Sequence, residues 1–579
     1  MKKSQLPAIF ITILAVSCAS MFSQEKASLK KVGNDLNAKI KTIESWYDAA
    51  NDPEYLGGYA VAFIKDGKVW LKKTYGRANE EYRIPFTGRT VFDFASIAKQ
   101  FTGFAIAKLA VEGKLSLDDP IRKYLPEFPD LGQPITIRQL LNHTSGLRDW
   151  YALMRLAGRL GNDIISHDWI SKLISRQRGL NFRPGDKQAY SNTGYFLLAE
   201  IVARITGKSF REWTKENIFA PLGMSATFFL DNDAEIIPES ASSYRGKMKF
   251  TDNLSAPGSS SLWSSLDDMI KWLVNLDTHS VGGEEVFRLM MSPAYLSDGK
   301  LVHYNFGLQK EPFAGRVAFT HDGGWGGFSS VMAYFPEEHL SMIFFSNRAP
   351  SGIDLWQKSL NLLLDIALAK NDEESMPNAN RAKAEIDTSI YDRYVGEYAM
   401  KAPSEDRSYY YARVDVKDGN LIFDSPLYRN NRLYPISKDR FFVIGNTNEY
   451  NFHQNELGIC DKVTIHHDDK EYVFLQVETK VSNIKEAKEI IGEYYSDELK
   501  EPLLIYVPKD ENELAIAGSM TNDHAHIYKV GDGASGFYGS DWWCSDIVFI
   551  RDENKKIVGF HITAAGNSYA ANIEYNKIK

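Results

Sequence analysis

Cysteine is scarce: the 579 residues hold three, Cys18, Cys460 and Cys544. A disulfide framework is thereby excluded as the source of stability, and no Cys/His spacing of a metal motif occurs. If Cys18 is removed with an export signal or lipidated, two thiols remain. Either a Cys460–Cys544 bridge in an oxidising compartment or two free buried thiols is then allowed. An excess of positive charge is also missing. The formal net charge is −8, which argues against a nucleic-acid binder held by phosphate neutralisation. Beyond residue 23 no apolar run is long enough to span a bilayer. What remains is ordinary globular material: 44% hydrophobic and 25% charged residues, enough for a core and against wholesale disorder. The length predicts two to four domains.

The first residues read as an export signal. Lys2 and Lys3 precede a short apolar run from Leu6 to Ser17, followed by the small residues Ala19, Ser20 and Ser23. This is the pattern of a signal h-region with cleavage before Gln24. Cys18, just past the run, offers lipid attachment as an alternative. The protein is expected to be exported to the periplasm or the extracellular space, with membrane attachment only through Cys18.

Periodicity predicts an amphipathic helix over 34–49, and a hairpin from Tyr59–Lys65 and Lys68–Tyr75 around Asp66-Gly67. A strongly apolar, hence buried, helix is predicted over 94–112. A short helix capped by Thr136 covers 137–141, and another runs over 194–206 to Gly207. Strands are expected at 319–320, 331–335 and 341–346, with a long helix over 353–369 to pack on them. At Lys370 the composition turns polar, and beyond it helical periodicity fades into short strand patterns. Tyr394-Val395-Gly396-Glu397-Tyr398 recurs as Ile491-Gly492-Glu493-Tyr494. The spacing predicts two small antiparallel β domains, both barrel-like. The expected division is 1–23 signal, 24–370 main domain, 371–388 linker, 389–485 first β domain and 486–579 second β domain.

Three short stretches carry chemistry. In Ser96-Ile97-Ala98-Lys99 a spacing of three puts both side chains on one helix face. The serine lies where helix N–H groups are unpaired, which suits an oxyanion site. Burial and the helix dipole both favour the neutral form of Lys99, which can then take the serine proton. The bland alternative is a helix cap and a surface lysine. Tyr190-Ser191-Asn192 follows Phe182-Arg183-Pro184-Gly185 in a loop that can aim a phenol and an amide into a cleft. Tyr190 can relay protons there and Asn192 can orient Lys99 and the substrate; otherwise it is a turn with a packed tyrosine. His321-Asp322-Gly323-Gly324 follows an apolar strand. The glycines would let a substrate backbone approach, His321 would offer a hydrogen bond or a positive charge, and the Gly324 and Ser96 N–H groups would hold an oxyanion. His466-His467-Asp468-Asp469 and His524-Ala525-His526 read as solvated loops rather than ligands. Tyr409, Tyr410, Tyr411, Trp542 and Trp543 read as β-domain packing rather than a binding platform.

Together and in this order, Ser96-Ile97-Ala98-Lys99, Tyr190-Ser191-Asn192 and His321-Asp322-Gly323 resemble the motifs of the serine β-lactamase and penicillin-binding-protein superfamily. Phe92-Asp93-Phe94-Ala95, Leu140-Leu141-Asn142-His143-Thr144-Ser145-Gly146-Leu147 and Arg183-Pro184-Gly185 match accessory stretches, and the resemblance covers about 34–370. It implies an α+β fold, an antiparallel sheet flanked by helices with a helical subdomain, on the class C side of the superfamily. His321 departs from the usual lysine, which puts efficient β-lactam hydrolysis in doubt. The two trailing β domains look like those of D-aminopeptidase or the lipocalin-like tails of related hydrolases.

The resulting expectation is a secreted serine hydrolase that works through an acyl-enzyme on Ser96. Lys99 and Tyr190 are catalytic, and Asn192, His321, Gly323 and Gly324 are substrate-binding. No metal or organic cofactor is required. Candidate substrates are peptides with D-amino acids, esters or β-lactams, and peptidoglycan is a candidate partner. The alternative is a catalytically weak protein that holds penicillin or peptidoglycan fragments.

Overall fold

The computed structural model describes residues 36–51, 56–159, 163–251, 253–349, 351, 355–366, 378, 381–401, 409–425, 431–444, 447–455, 458, 460–467, 470–477, 487–509, 511, 513–518, 525–529, 536–539, 546–564 and 570–579. The expected export signal, Cys18, Asp468, Asp469, His524, Trp542, Trp543, Cys544 and half of the 371–388 linker lie outside these residues.

The organising element is an eight-stranded antiparallel sheet. Its strands are β1 (Gly58–Lys65), β2 (Lys68–Asn79), β3 (Ile84–Pro85), β4 (Tyr304–Asn305), β5 (Leu308–Phe313), β6 (Arg316–Trp325), β7 (Phe328–Phe335) and β8 (Leu340–Ser346), in the order β4-β5-β6-β7-β8-β1-β2-β3. The expected hairpin is β1–β2. Asp66 (φ 50°) and Gly67 (φ 69°) both take the left-handed conformation that a two-residue hairpin turn requires. Every residue from Gly58 to Ile64 is buried, because both sheet faces are covered. Strand alternation divides them. Tyr59, Val61 and Phe63 pack with Ile43 and Tyr47 of helix α1 (Leu36–Ala50) and with Leu360 of a C-terminal helix, Trp356–Leu363. Ala60, Ala62 and Ile64 join the main core on the other face.

That main core is centred on helix α2 (Ala98–Val111), preceded by a 3₁₀ turn over Ala95–Ile97. Phe101, Phe104, Ala105 and Leu109 have no exposed surface. Phe101 and Trp272 lie 4.4 Å apart, and Trp272 Nε1 donates to Gln100 Oε1 at 3.1 Å. A helical region completes the body, with α3 (Ile137–Leu141), α4 (Trp150–Leu156), α5 (His167–Ser175) and α6 (Asn192–Thr206). Thr136 and Gln139 form a reciprocal capping box at the start of α3, and Gly207 at φ 71° ends α6.

Beyond the linker, Gly396–Gln476 forms a nine-stranded antiparallel sheet around its own core, and Gly492–Lys577 forms a closed eight-stranded barrel. The short repeat has a physical meaning. Tyr398 and Tyr494 are both fully buried, and each donates its hydroxyl to the carbonyl four residues earlier, Tyr394 O at 2.8 Å and Ile490 O at 2.6 Å. Each Gly-Glu-Tyr therefore opens a first strand locked to the turn before it. Cys460 is a free, buried thiol. His466 lies on a strand, Cys460–His467, rather than in a loop, and its Nε2 is 3.3 Å from Glu471 Oε2. Among the described residues no helix is long and apolar enough to cross a membrane.

Candidate active site

Ser96 sits in the 3₁₀ turn at the N-terminus of α2, half-buried at the floor of a cleft of about 690 Å³. The turn is held from below. Ala95 takes φ 47°, a strained value for a residue with a Cβ, and its N–H is bound by Asp93 Oδ1 at 2.8 Å. One turn on, Lys99 is fully buried. Its amine donates to Ser96 Oγ at 3.0 Å, Asn192 Oδ1 at 2.8 Å and the Ser259 carbonyl at 2.6 Å. Burial is the main influence on this amine and draws its pKa down to about 7, against the opposing pull of Asp149 and Asp322. The lysine is thus poised between charged and neutral near neutral pH.

Tyr190 covers the amine, which lies 4.8 Å from the centre of its ring. Burial pushes the phenol well above its ordinary pKa, and its hydrogen bond with Ser96 pulls the other way. The tyrosine is positioned by two strips of loop that zip together. Gly185 N donates to Thr144 O at 2.7 Å, Ala189 N to His143 O at 2.8 Å and Ser191 N to His143 Nδ1 at 3.1 Å. Gly146, at φ 71°, passes so close to Phe182 that a Cβ there would lie 2.1 Å from its carbonyl oxygen. These contacts explain why the His143-Thr144-Ser145-Gly146 and Arg183-Pro184-Gly185 stretches accompany the chemistry.

Asn192, the first residue of α6, is held by Asp149. Asp149 Oδ2 accepts from Asn192 N at 2.5 Å and Asn192 Nδ2 at 3.0 Å, while Oδ1 accepts from Tyr151 N at 2.8 Å to cap α4. Asp149 is the principal residue that sequence reading missed. It is one acid in a loop, 43 positions from its partner, and the only local sign of it is that it stands before an apolar helix, as an N-cap does.

The third motif lies where β6 outruns β5. Residues 316–320 pair with β5, whereas 321–325 pair with β7 alone, leaving an open edge beside Ser96. One expectation is narrowed there and one corrected. Of the two roles read for His321, a hydrogen bond or a positive charge, the surroundings favour the first: burial, then the neighbouring Lys99, draw its pKa down to about 4. Both ring nitrogens are engaged, Nε2 with Tyr304 Oη at 2.7 Å and Nδ1 with Asp322 O at 2.6 Å. Its ring centre is 6.4 Å from that of Tyr190, so it backs the cleft as a neutral group. Gly323 does not open a path for substrate. A Cβ on it would lie 2.3 Å from Phe94 O and 2.5 Å from Ser330 Oγ, so its role is to let β6 press against the serine turn. Gly324 is the exposed glycine, facing open space in the cleft. Trp150, Tyr151, Arg155, Arg245, Phe250 and Trp325 complete the walls.

Comparison with known proteins agrees with this arrangement. The Beta-lactamase family model matches residues 45–359. Penicillin-binding protein 4* of Bacillus subtilis (strain 168) is 27% identical over 428 residues, covering 70% of this chain and 92% of that protein. A D-aminopeptidase of Brucella canis is 30% identical over 344 residues, covering 58% of this chain but only 64% of that enzyme. The octameric penicillin-binding protein homologue from Pyrococcus abyssi shares the fold, with a TM-score of 0.52 at 24% identity over 75% of this chain and 99% of that one. By the extent of the family match, which takes in all three motifs, this chain belongs to the Beta-lactamase family.

Proposed function

We propose that the protein is a serine hydrolase that cleaves amide or ester bonds through an acyl-enzyme on Ser96. Membership of the Beta-lactamase family and the D-aminopeptidase relative support a hydrolase. The observation that carries the serine mechanism is the buried Lys99 amine, 3.0 Å from Ser96 Oγ and with its pKa drawn down to about 7. Neutral Lys99 takes the Ser96 proton as Oγ attacks the substrate carbonyl. The oxyanion is held by the N–H groups of Ser96 and Gly324 at the open edge of β6. Tyr190 gives its hydroxyl proton to the departing amine or alkoxide and is reprotonated from the Lys99 ammonium. Water then attacks the acyl carbon, its proton passes back through the same groups, and Ser96 is released. Asn192 fixes the lysine and the substrate amide.

The substrate classes are small peptides, D-amino acid peptides among them, esters and β-lactams; export, as read from the first residues, would add peptidoglycan fragments to them. His321 in the position of the usual lysine argues for peptides or esters over β-lactams, because the neutral, fully engaged imidazole offers no cation to a carboxylate. The test is direct. A fluorophosphonate should label the wild-type protein and not Ser96→Ala, and the variant should lose at least about a thousandfold in hydrolysis. Turnover of a p-nitrophenyl ester by Ser96→Ala at the wild-type rate refutes the assignment. Rates on D-Ala-p-nitroanilide, a D-Ala-D-Ala peptide, a p-nitrophenyl ester and nitrocefin then rank the substrate classes, with nitrocefin expected last.

A further inference from the structure

Helix α4 has two working faces. Trp150, Tyr151 and Arg155 line the cleft, while Ala152, Leu153 and Leu156 enter the core of the C-terminal barrel. Tyr575 Oη, from the last barrel strand, donates to Leu156 O at 2.5 Å. A Cβ on barrel residue Gly518 would lie 2.2 Å from Gly158 Cα. The barrel is therefore packed directly behind one wall of the cleft.

A polar path runs through the same contact. Arg148 and barrel residue Glu498 are buried, with 6% and 8% of their surface exposed, and Arg148 Nη1 lies 2.6 Å from Glu498 Oε2. The carboxylate also accepts from Arg178 N at 3.1 Å, and Arg148 Nη2 donates to Asn572 O of the barrel at 3.4 Å. Arg148 adjoins Asp149 in the chain, and its carbonyl accepts from Thr193 Oγ1 at 2.7 Å, the residue beside Asn192. Asp149 grips Asn192, and Asn192 accepts from Lys99. Removing one partner of a buried ion pair leaves the other charge uncompensated, and the arginine would keep only neutral acceptors, Gln177 Oε1 at 3.2 Å and Asn572 O at 3.4 Å.

We propose that Glu498 of the barrel is a positioning residue for the Ser96 site, holding Arg148 and thereby the Asp149–Asn192 clamp that fixes the Lys99 amine. The proposal rests on the serine-hydrolase reading for its kinetic consequence and on geometry alone for its structural one.

The experiment uses the full chain with Glu498→Gln, Glu498→Asp and, as a control in the same interface but off the path, Tyr575→Phe. Two quantities are read: the fluorophosphonate acylation rate against pH, and amide exchange of residues 191–195 by mass spectrometry. Lys99 is faced by Asp149 from the α4 turn, His321 and Asp322 from β6, His143 from the loop after α3, and the rings of Tyr190 and Tyr195. An uncompensated Arg148 and a loosened Asp149 both disfavour the ammonium. Glu498→Gln is therefore expected to slow acylation about tenfold, to move the acid limb to lower pH and to speed exchange at 191–195. Glu498→Asp, which keeps the charge, should fall between it and the wild type. Tyr575→Phe should lower the melting temperature while leaving the acid limb in place. The proposal is overturned if both Glu498 variants leave the limb and the 191–195 exchange unmoved and slow acylation only in step with melting temperature. If the wild-type protein is never labelled, the serine reading fails instead, and the exchange arm still decides the coupling.

Discussion

Lys99 can take a proton from Ser96 only while it is uncharged, so the rate should follow its titration. With burial drawing the pKa to about 7, kcat/KM is expected to rise with pH through an acid limb centred near 7. Asp149 raises the Lys99 pKa, so Asp149→Asn should shift that limb to lower pH. Because the variant also loses a charged acceptor for Asn192, acylation should slow by about 10- to 100-fold. Stopped-flow acylation across pH 5–9 checks both, and an unshifted limb would remove Lys99 as the base. The same depression has a stability consequence. The unfolded chain binds the lysine proton below about 10.5 and the folded one only below about 7. This residue's contribution to stability therefore declines as pH falls across that window, and Lys99→Met should flatten that part of the melting-temperature profile. Ser96, Lys99, Tyr190 and Asn192 were readable because each sits in a short motif of fixed spacing. The state of His321 was not, since the rings packed about it, Tyr304 and Tyr190, come from other segments of the chain.

Among elements, the sharpest test lies at the glycines of β6. Gly323→Ala should force the strand off the serine turn, because its Cβ would meet Phe94 O at 2.3 Å. Overpacking of this kind costs about 1–3 kcal/mol, and acylation should fall more than tenfold as the turn shifts. Gly324→Ala points into open space and should leave the melting temperature unchanged while altering KM for bulky acyl groups. Equal destabilisation by both would show that the strand does not press on the turn as described. The periodic elements were legible in outline: the β1–β2 hairpin, α2, α3 and α6 all lie where apolar spacing put them. Helix α4 escaped notice for a physical reason. It is buried on the barrel side and lines the cleft on the other, so Trp150, Ala152, Leu153, Met154 and Leu156 are all apolar and no polar face marks its period. The expected helix over 353–369 is described over Trp356–Leu363, packed on the sheet as anticipated.

For the whole molecule, composition and the Gly-Glu-Tyr repeat disclosed two trailing β units but not that they relate differently to the rest. The core of the first, from Tyr391 to Phe474, contains no residue from elsewhere among the described residues. The barrel core includes Ala152, Leu153, Leu156, Ala157 and Leu173 of the catalytic body. Cooperative units follow shared cores. Calorimetry should therefore show two transitions, one for the first β unit and one for the barrel together with the catalytic body. The first unit also has its own pH dependence. Glu397 on its opening strand is half-buried near Glu513 of the barrel, with Arg413 Nε at 3.6 Å, and burial raises its carboxyl to about 7. A carboxyl raised in the folded state stabilises below its unfolded pKa, near 4.5, and that contribution is lost as pH climbs through about 7. The transition of the first β unit should accordingly fall in temperature between pH 5 and 8 while the other holds or rises. Glu397→Gln, which stays neutral throughout, should abolish the fall. Persistence of the fall in that variant would place its origin in another group, and a single transition for all three parts would show that the separate core does not make a separate unit.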